Sequence, residues 1–283
     1  MFQIEAKVFK GYKLMISILV LTLDEEVNLE SCLKSVSFSD DVIVLDSGSK
    51  DSTCGIAAQC GAKLISRKFD NYAAQRNYGL SQNFKNDWIL ILDADERVSK
   101  ELREEISEVA TKADEKYTLY RMRRKDYFMG RWLKRSSGYP TWFGRLCRRG
   151  RVRVERDINE EYHTDGEVGI LQEHLIHFPF NKGIDYWFER HNKYSSMEAN
   201  RLADERINPV PWSCFFSRDP AVRRKAFKLF AYRLPFRPPL TFIYLYFLRL
   251  GILDGKPGFH FALMRTYYEY MINLKLLEVK ERS

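Results

Sequence analysis

Two aspartates, Asp93 and Asp95, follow the apolar run at residues 88–92. In an extended strand, residues i and i+2 point the same way, so both carboxylates would converge on one point. Two such charges are costly without a cation, and oxygen ligands of this kind favour Mg²⁺ or Mn²⁺. A D-x-D triplet also arises by chance in solvated turns. Its place after an apolar strand favours a metal site.

Three further polar residues are candidates for the same chemistry. Asp46 ends the apolar run 42–45 and is suited either to bind a base or ribose or to close its own turn. Arg76 is suited to bind a phosphate, the alternative being an exposed helix arginine. His177 follows an apolar pair and is a candidate third metal ligand or diphosphate contact, although the spacing to His163 and His174 does not match a metal-binding helix.

An acidic segment at residues 157–161 contains the candidate general base, Glu160. Three carboxylates crowd together there, and mutual repulsion between neighbouring carboxylates can produce a better base. The alternative is an exposed acidic loop that balances the arginines at 151, 153 and 156.

The elements that would position these residues alternate between strand and helix over about the first 110 residues. Apolar runs at 16–23, 42–45, 63–65 and 88–92 predict strands, and residues from Asn28, at 72–80 and after Ser99 predict helices. This alternation predicts a parallel sheet whose ligands lie at the carboxyl ends of the strands. Three strands would end there in acidic clusters, at 24–26, 46 and 93–96.

The charge and cysteine content limit the possible classes. The 283 residues carry a net charge of +8 with 45% hydrophobic residues, which excludes disordered and collagen-like chains. Residues 121–156 hold thirteen Lys/Arg against Asp126 and Glu155, so phosphate groups are the expected partners. Five scattered cysteines indicate a reducing compartment rather than a disulfide framework or zinc site.

The C-terminal part predicts helices at a membrane surface. Residues 218–237 combine seven basic residues with interleaved aromatics, and 240–248 are almost wholly apolar. Such segments suit an anionic bilayer surface, while none is long enough to span it. The alternatives are a packed helical subdomain and a dimer interface. The predicted organisation is an extension at 1–15, a domain at 16–184 (nucleotide half 16–116, acceptor half 117–184), and a helical region at 185–283.

Four segments in order resemble the family 2 glycosyltransferases: TLDEEVNL at 22–29, DSGSKDST at 46–53, RNYGL at 76–80 and DADE at 93–96. The chain is most similar to the lipopolysaccharide-core β-1,4-glucosyltransferases, a likeness that continues at 138–140, 145–149, 159–160, 175–177 and 249–255. Two positions depart from the pattern. Asp24 stands where the family usually has Asn, and Asn159 where the subgroup often has His.

The resemblance implies a GT-A fold, a Rossmann-like, mostly parallel sheet flanked by helices. The C-terminal helices that the composition predicts to associate with a membrane would follow it. It implies that Thr22, Glu25 and Asp46 line the nucleotide pocket, with Asp46 on the uracil, and that Arg76 contacts phosphate or base. It further implies Asp93 near ribose and metal, Asp95 as the direct ligand of Mg²⁺ or Mn²⁺, and Glu160 as the catalytic base.

The expected activity is therefore an inverting, metal-dependent transfer of glucose from UDP-glucose to lipopolysaccharide inner-core heptose. The expected partners are a UDP-sugar, a lipid-linked saccharide and the anionic inner face of the bacterial cytoplasmic membrane, with no nucleic acid. One alternative keeps the chemistry but uses polyprenyl-diphosphate-linked O-antigen or capsule intermediates. Alternatives of another class are a basic nucleic-acid-binding protein and a nucleotide-binding membrane adaptor without turnover.

Overall fold

The structure, a computed structural model, describes residues 15–112, 115–155, 161–205, 211–217, 223, 226, 230 and 236–282. The chain forms two compact units, one of Met1–Tyr127 with Pro140–Asn181 and one of Phe128–Tyr139 with Lys182–Ser283. Residues 128–139 thus group with the C-terminal helices. The expected extension at 1–15 lies outside the described residues except for Met15, and the functional division at residue 184 stays a prediction.

The first unit is built on a mixed β-sheet. The elements of this unit are β1 (Ile16–Thr22), α1 (Leu29–Ser35), β2 (Val42–Asp46), α2 (Thr53–Gln59), β3 (Lys63–Ser66), α3 (Tyr72–Leu80), β4 (Trp88–Asp93), β5 (Glu96–Val98), α4 (Lys100–Thr111), β6 (Tyr117–Phe128), β8 (Trp142–Arg148), β9 (Val152–Glu155), β10 (Glu161–Thr164) and β11 (Glu167–His177). The short strand β7 (Arg131–Trp132) belongs to the second unit. The strands of the sheet run in the order β3-β2-β1-β4-β8-β6-β11-β5.

The first four strands of that order are parallel, as the alternation of strand and helix predicts. Thr22 lies beside Asp46, and Leu21 lies beside Asp93. The carboxyl ends of β1, β2 and β4 therefore meet at one edge, which confirms the expectation that their acidic clusters share a rim.

The second half of the sheet is mixed. β8 is antiparallel to both β4 and β6, β6 and β11 are parallel, and β5 is antiparallel to β11. In this register His177 lies between Glu96 on β5 and Asp126 on β6. Three polar residues far apart in the sequence are thereby placed side by side.

The core fills both faces of the sheet. Alternate residues of β1 point to opposite sides, with Ile18 and Val20 in one apolar cluster and Leu19 in the other. Helices α1, α2 and α4 contribute to the first cluster, and α3 lies over Leu19, where a Cβ on Gly79 would come within 2.5 Å of a leucine methyl. This two-sided burial explains why β1, apart from Ser17, and β4 are apolar up to their last residues.

The second unit is helical. Its elements are β7, α5 (Gly183–Glu205), a 3₁₀ turn (Trp212–Phe216), α6 (Arg237–Ile243), a π turn (Tyr244–Leu248), a second 3₁₀ turn (Gly251–Asp254) and α7 (Lys256–Arg282). Helix α5 packs against α7 around an apolar cluster of Ala199, Leu202, Ile272 and Leu276. Within the described ranges, no helix is both long and apolar enough to cross a bilayer.

Two of the segments that carried the family likeness meet inside this second unit. Asp254 accepts hydrogen bonds from the backbone N–H groups of Arg135 and Ser136, at 2.9 and 2.8 Å to its Oδ2. Arg249 donates to the Tyr139 carbonyl at 3.0 Å. The segment at 249–255 therefore fastens the turn at 135–139.

Candidate active site

Asp46, at the end of β2, is buried and organises its own loop. Its Oδ1 accepts from the hydroxyls of Thr22 (3.0 Å) and Ser49 (2.5 Å), and its Oδ2 accepts from the backbone N–H groups of Gly48 (2.8 Å) and Ser49 (2.9 Å). Burial opposes ionisation, but these donors outweigh it and lower the pKa of Asp46. The four acceptor positions of the carboxylate are thus used within the protein.

The loops after β1 and β2 are joined to each other around Asp24. This residue has a φ of 53°, in the left-handed region that Asn and Asp adopt more readily than other residues. Its backbone N–H donates to Ser49 Oγ at 2.8 Å, and its Oδ1 accepts from the Lys50 N–H at 2.7 Å. The departure from the family's Asn therefore keeps the backbone geometry that the position requires.

Glu25 is held at the same rim. Its backbone N–H donates to Thr53 Oγ1 at 2.7 Å, and its Oε2 accepts from Asn28 Nδ2 at 2.9 Å. Thr22 and Asp46 contact each other at the ends of two neighbouring parallel strands, and Glu25 lies on the loop after the first of them. Their role in a nucleotide pocket, which the family resemblance implies, stays a prediction.

Arg76 lies on α3 and is buried, so an exposed helix arginine is not what the structure shows. Its Nη2 donates to Asp93 Oδ1 at 2.9 Å, and Arg145 on β8 donates to Asp93 Oδ2 at 2.6 Å. Burial opposes ionisation of Asp93, but the two guanidinium groups outweigh it and hold its pKa well below the usual value.

The strand does not continue through Asp95. β4 ends at Asp93, and the chain turns at Ala94 and Asp95, so the alternation of an extended strand does not apply to this pair. Each carboxylate has a cationic partner of its own. Asp93 binds arginines, whereas Asp95 Oδ2 lies 3.1 Å from His177 Nε2. The expectation that an extended strand aligns both side chains is corrected accordingly.

His177 links Asp95 to a second carboxylate, because its Nδ1 lies 2.7 Å from Asp126 Oδ1. Burial and the nearby Arg124 lower the pKa of His177, but the two aspartates outweigh them and raise it to about 9. Burial also opposes ionisation of Asp95, and the charge and hydrogen bond of His177 reverse this, so the pKa of Asp95 is lowered.

The side chains of Glu96 and Arg124 connect the ion pairs around Asp93 with the ion pair between Asp95 and His177. Glu96 is 0% exposed and accepts from Arg145 at 2.8 Å and from Arg124 at 3.3 Å, while its Oε2 accepts from the Asp93 N–H at 3.0 Å. Arg124 also donates to Asp126 at 3.2 Å. The result is a chain of alternating charge, in order Arg76, Asp93, Arg145, Glu96, Arg124, Asp126, His177 and Asp95.

Sequence reasoning assigned no role to four members of this alternating chain: Arg145, Glu96, Arg124 and Asp126. Arg145 and Glu96 lie inside segments that carried the family likeness, and that was the available signal. Arg124 and Asp126 were counted only as part of a basic segment. The predicted base, Glu160, lies outside the described residues, and its neighbour Glu161 opens β10.

One carboxylate oxygen of Asp95 is available to bind a cation. Its Oδ1 is buried, and no donor among the described residues lies within hydrogen-bonding distance of it. The described part of the chain contains no group of three or more His, Cys, Asp or Glu side chains arranged to hold a metal. Mg²⁺ is often held by one or two carboxylates together with substrate phosphates, and this donor set fits that mode.

Comparison with known proteins identifies the family. The chain is 28% identical over 276 residues to the lipopolysaccharide core biosynthesis glycosyltransferase LpsC of Rhizobium meliloti (strain 1021), covering 94% of this chain and 93% of LpsC. It is 25% identical over 280 residues to an uncharacterized glycosyltransferase of Rickettsia conorii, covering 95% and 92%.

Among solved structures, glucosyl-3-phosphoglycerate synthase from Mycobacterium tuberculosis in complex with Mn²⁺, UDP and glucosyl-3-phosphoglycerate is 23% identical to this chain, with a TM-score of 0.33 and coverage of 41% of this chain and 45% of that one. The family model for glycosyl transferase family 2 matches residues 17–185, which include the strand-end rim and every member of the alternating chain. The protein is therefore a member of the family 2 glycosyltransferases, with their GT-A fold.

Proposed function

We propose that the protein transfers a hexose, with inversion, from a UDP-sugar to a lipid-linked saccharide in a reaction that depends on Mg²⁺ or Mn²⁺. The observation that carries the proposal is the unpartnered, buried Oδ1 of Asp95 at the strand-end rim. Family membership supplies the reaction class. The favoured donor is UDP-glucose.

Asp95 is proposed as the direct metal ligand. His177 would become a further ligand only after losing a proton and releasing one of its two aspartates, because both ring nitrogens are engaged and its pKa is raised to about 9. The metal would neutralise charge that develops on the leaving diphosphate. Asp93, already bound by Arg76 and Arg145, is proposed to act near the ribose and the metal without being a principal ligand, since its two oxygens are engaged.

Thr22, Glu25, Asp46 and Arg76 are proposed to form the nucleotide pocket. The filled acceptor positions of Asp46 suggest that it serves the uracil mainly by holding the loop 47–49 in shape. The buried guanidinium of Arg76 supplies positive charge near the diphosphate.

Glu160 is proposed as the base that removes the proton from the acceptor hydroxyl. Attack by that oxygen on the far face of the anomeric carbon, in one displacement, inverts the stereochemistry. The identity of this base follows from the family likeness at 159–160.

The acceptor is proposed to be a lipopolysaccharide inner-core heptose, on the strength of the similarity to LpsC over nearly the whole chain. A polyprenyl-diphosphate-linked intermediate is the alternative acceptor. Either would be presented at the inner face of the cytoplasmic membrane. Large apolar side chains exposed in the second unit support a peripheral membrane position, among them Trp212 (76%) and Phe216 (84%).

The metal proposal is tested by measuring UDP-sugar hydrolysis and transfer with and without Mn²⁺ or Mg²⁺, using Asp95→Ala. We expect activity to need the metal and to vanish in the variant. Asp165→Ala is the matched control, because this aspartate is exposed and bound to Arg151. Full activity in the presence of a chelator would contradict the proposal.

The base is tested with Glu160→Gln, which should abolish turnover while leaving UDP binding by calorimetry unchanged. Near-normal turnover would move the base elsewhere, with Glu161→Gln as the next variant. If the wild-type protein binds UDP but shows no turnover, the result would instead support the alternative of a non-catalytic adaptor.

Membrane association is tested by flotation with phosphatidylglycerol vesicles and with neutral vesicles. We expect binding only to the anionic vesicles and a smaller bound fraction after Trp212→Ser with Phe216→Ser. Ile170→Ser is the control, since this exposed side chain lies on β11 of the first unit. Recovery of intact protein wholly in the unbound fraction would refute the membrane position.

A further inference from the structure

Helix α7 has two apolar faces, and only one is covered by α5. Ile272 and Leu276 are buried against the α5 residues Ala199 and Leu202. A helix that is apolar on both sides needs cover on both sides.

Between residues 261 and 277 the other face is exposed and contains no charge. Across residues 261–277, all of which the structure describes, the exposed positions of α7 are apolar or aromatic, each 45–55% exposed. They are Leu263, Tyr267, Tyr270, Leu274 and Leu277. Tyr267 also makes an edge contact with Phe188 of α5, at 5.6 Å between ring centroids.

The spacing of these five positions is 4, 3, 4 and 3 residues. This is the a/d spacing of a helix that packs its side chains into the face of another helix. Any surface that contacts one face of a helix gives this spacing, but a helix in a membrane interface has a strongly charged opposite face rich in Lys and Arg. The opposite face of α7 is instead apolar and packed against α5. The pattern therefore fits a protein helix better than a bilayer.

We propose that this face of α7 pairs with the same face of α7 in a second copy of the protein, in an antiparallel orientation. A two-fold axis between residues 268 and 269 would place Tyr267 beside Tyr270 of the other copy and Leu263 beside Leu274 of the other copy. Leu277 lies beside the exposed His260 of the other copy, and each a position meets a d position, as antiparallel packing requires.

Charge at the ends of the helix supports the antiparallel orientation. The same axis brings Lys256, exposed at the start of α7, next to Glu281 of the other copy, exposed at its end. A parallel pair would instead place Lys256 beside Lys256 and Glu281 beside Glu281. The helix dipoles also attract in the antiparallel arrangement and repel in the parallel one.

The test is sedimentation velocity of the full chain in lipid-free buffer, from about 0.5 to about 100 µM, the range in which a small interface associates. We expect a concentration-dependent shift from 33.5 kDa to twice that mass. Leu263→Glu or Leu274→Lys should each weaken the dimer at least about tenfold, because each buries a charge without a partner.

The double variant Leu263→Glu with Leu274→Lys tests the orientation. In the antiparallel dimer each new Glu faces a new Lys, so association should recover to near the wild-type value. In a parallel dimer like charges would meet, and the double variant would associate less than either single variant. That result would overturn the proposed orientation.

Met197→Glu is the control, because this side chain is exposed on α5, outside the face. Far-ultraviolet circular dichroism confirms that each variant keeps its helices.

A wild-type protein that stays monomeric up to about 100 µM would overturn the proposal. If Leu263→Glu instead lowered vesicle flotation of a monomeric wild type, the face would bind lipid. Neither result depends on the glycosyl-transfer assays.

Discussion

The alternating chain of charges makes a strong prediction for Arg145. This side chain is 2% exposed, and its Nη2 lies 2.6 Å from Asp93 Oδ2 and 2.8 Å from Glu96 Oε1. Replacing it with Met keeps most of the side-chain volume but removes the charge and the hydrogen bonds. Two carboxylates, one of them completely buried, then lose a shared cation.

The expected loss of stability follows from burial. Removing one partner of a buried ion pair costs about 3–5 kcal/mol, because the other charge is left without compensation. Arg76 still binds Asp93 and Arg124 still binds Glu96, which places the expected loss near the lower end, at about 3 kcal/mol.

Amide hydrogen exchange followed by mass spectrometry measures this loss in the first unit alone, in peptides from β4 and β8. A loss of about 3 kcal/mol corresponds to exchange at least roughly 100-fold faster in the amides that open only on global unfolding. Adding Glu96→Gln to Arg145→Met should slow exchange again, since the neutral amide no longer needs a cation.

Arg151→Met is the matched control. Arg151 also lies 2.6 Å from a carboxylate, that of Asp165, but both side chains are exposed, so less than about 1 kcal/mol is expected. If Arg145→Met changed exchange no more than Arg151→Met does, the argument that burial sets the strength of this network would be refuted.

Three further predictions concern local structure, each read by the same exchange measurement. Gly79→Ala should destabilise the first unit by about 1–3 kcal/mol, because the new Cβ would lie 2.5 Å from a Leu19 methyl. Gly55→Ala is the control and should stabilise α2 slightly, because no atom lies within 4 Å of the new Cβ. Ser99→Ala should cost about 0.5–2 kcal/mol, since Ser99 caps α4 by accepting from a backbone N–H. Burial lowers the pKa of His191 to about 4 in the folded protein, whereas an unburied histidine has a pKa of about 6.5. Between these two pH values the unfolded state therefore binds more protons than the folded state. The stability of α5 should therefore fall as the pH decreases from about 6.5 to 4, and His191→Phe should remove this dependence.

The parallel half of the sheet was accessible to sequence reasoning because its signals are local. The apolar runs at β1, β2 and β4 are buried on both faces, and the helix at 72–80 has the bounds that the pattern predicts. Ser99 caps α4 as expected. The shared rim then follows from the general rule that parallel strands end at one edge of a sheet.

The arrangement within the rim was not accessible in the same way. The local pattern at 93–95 led to a pair of aligned carboxylates, but the chain turns after Asp93, and distant cations decide where each carboxylate is held. Arg145 is 52 residues from Asp93, and His177 is 82 residues from Asp95. Strand pairing in the mixed half of the sheet brings these partners together, and nothing in the spacing specifies that pairing.

The order of residues by itself determined the α/β core and the edge of the sheet that carries the acidic clusters, because periodicity and turn residues encode local backbone geometry. The reaction class came from the resemblance of four motifs to a known family. Only the tertiary structure decided which charges neutralise one another, that Asp46 is already saturated with donors, and that α7 has a second apolar face. These outcomes depend on long-range register and on burial, and burial strengthens electrostatic interactions between groups that the linear sequence leaves far apart.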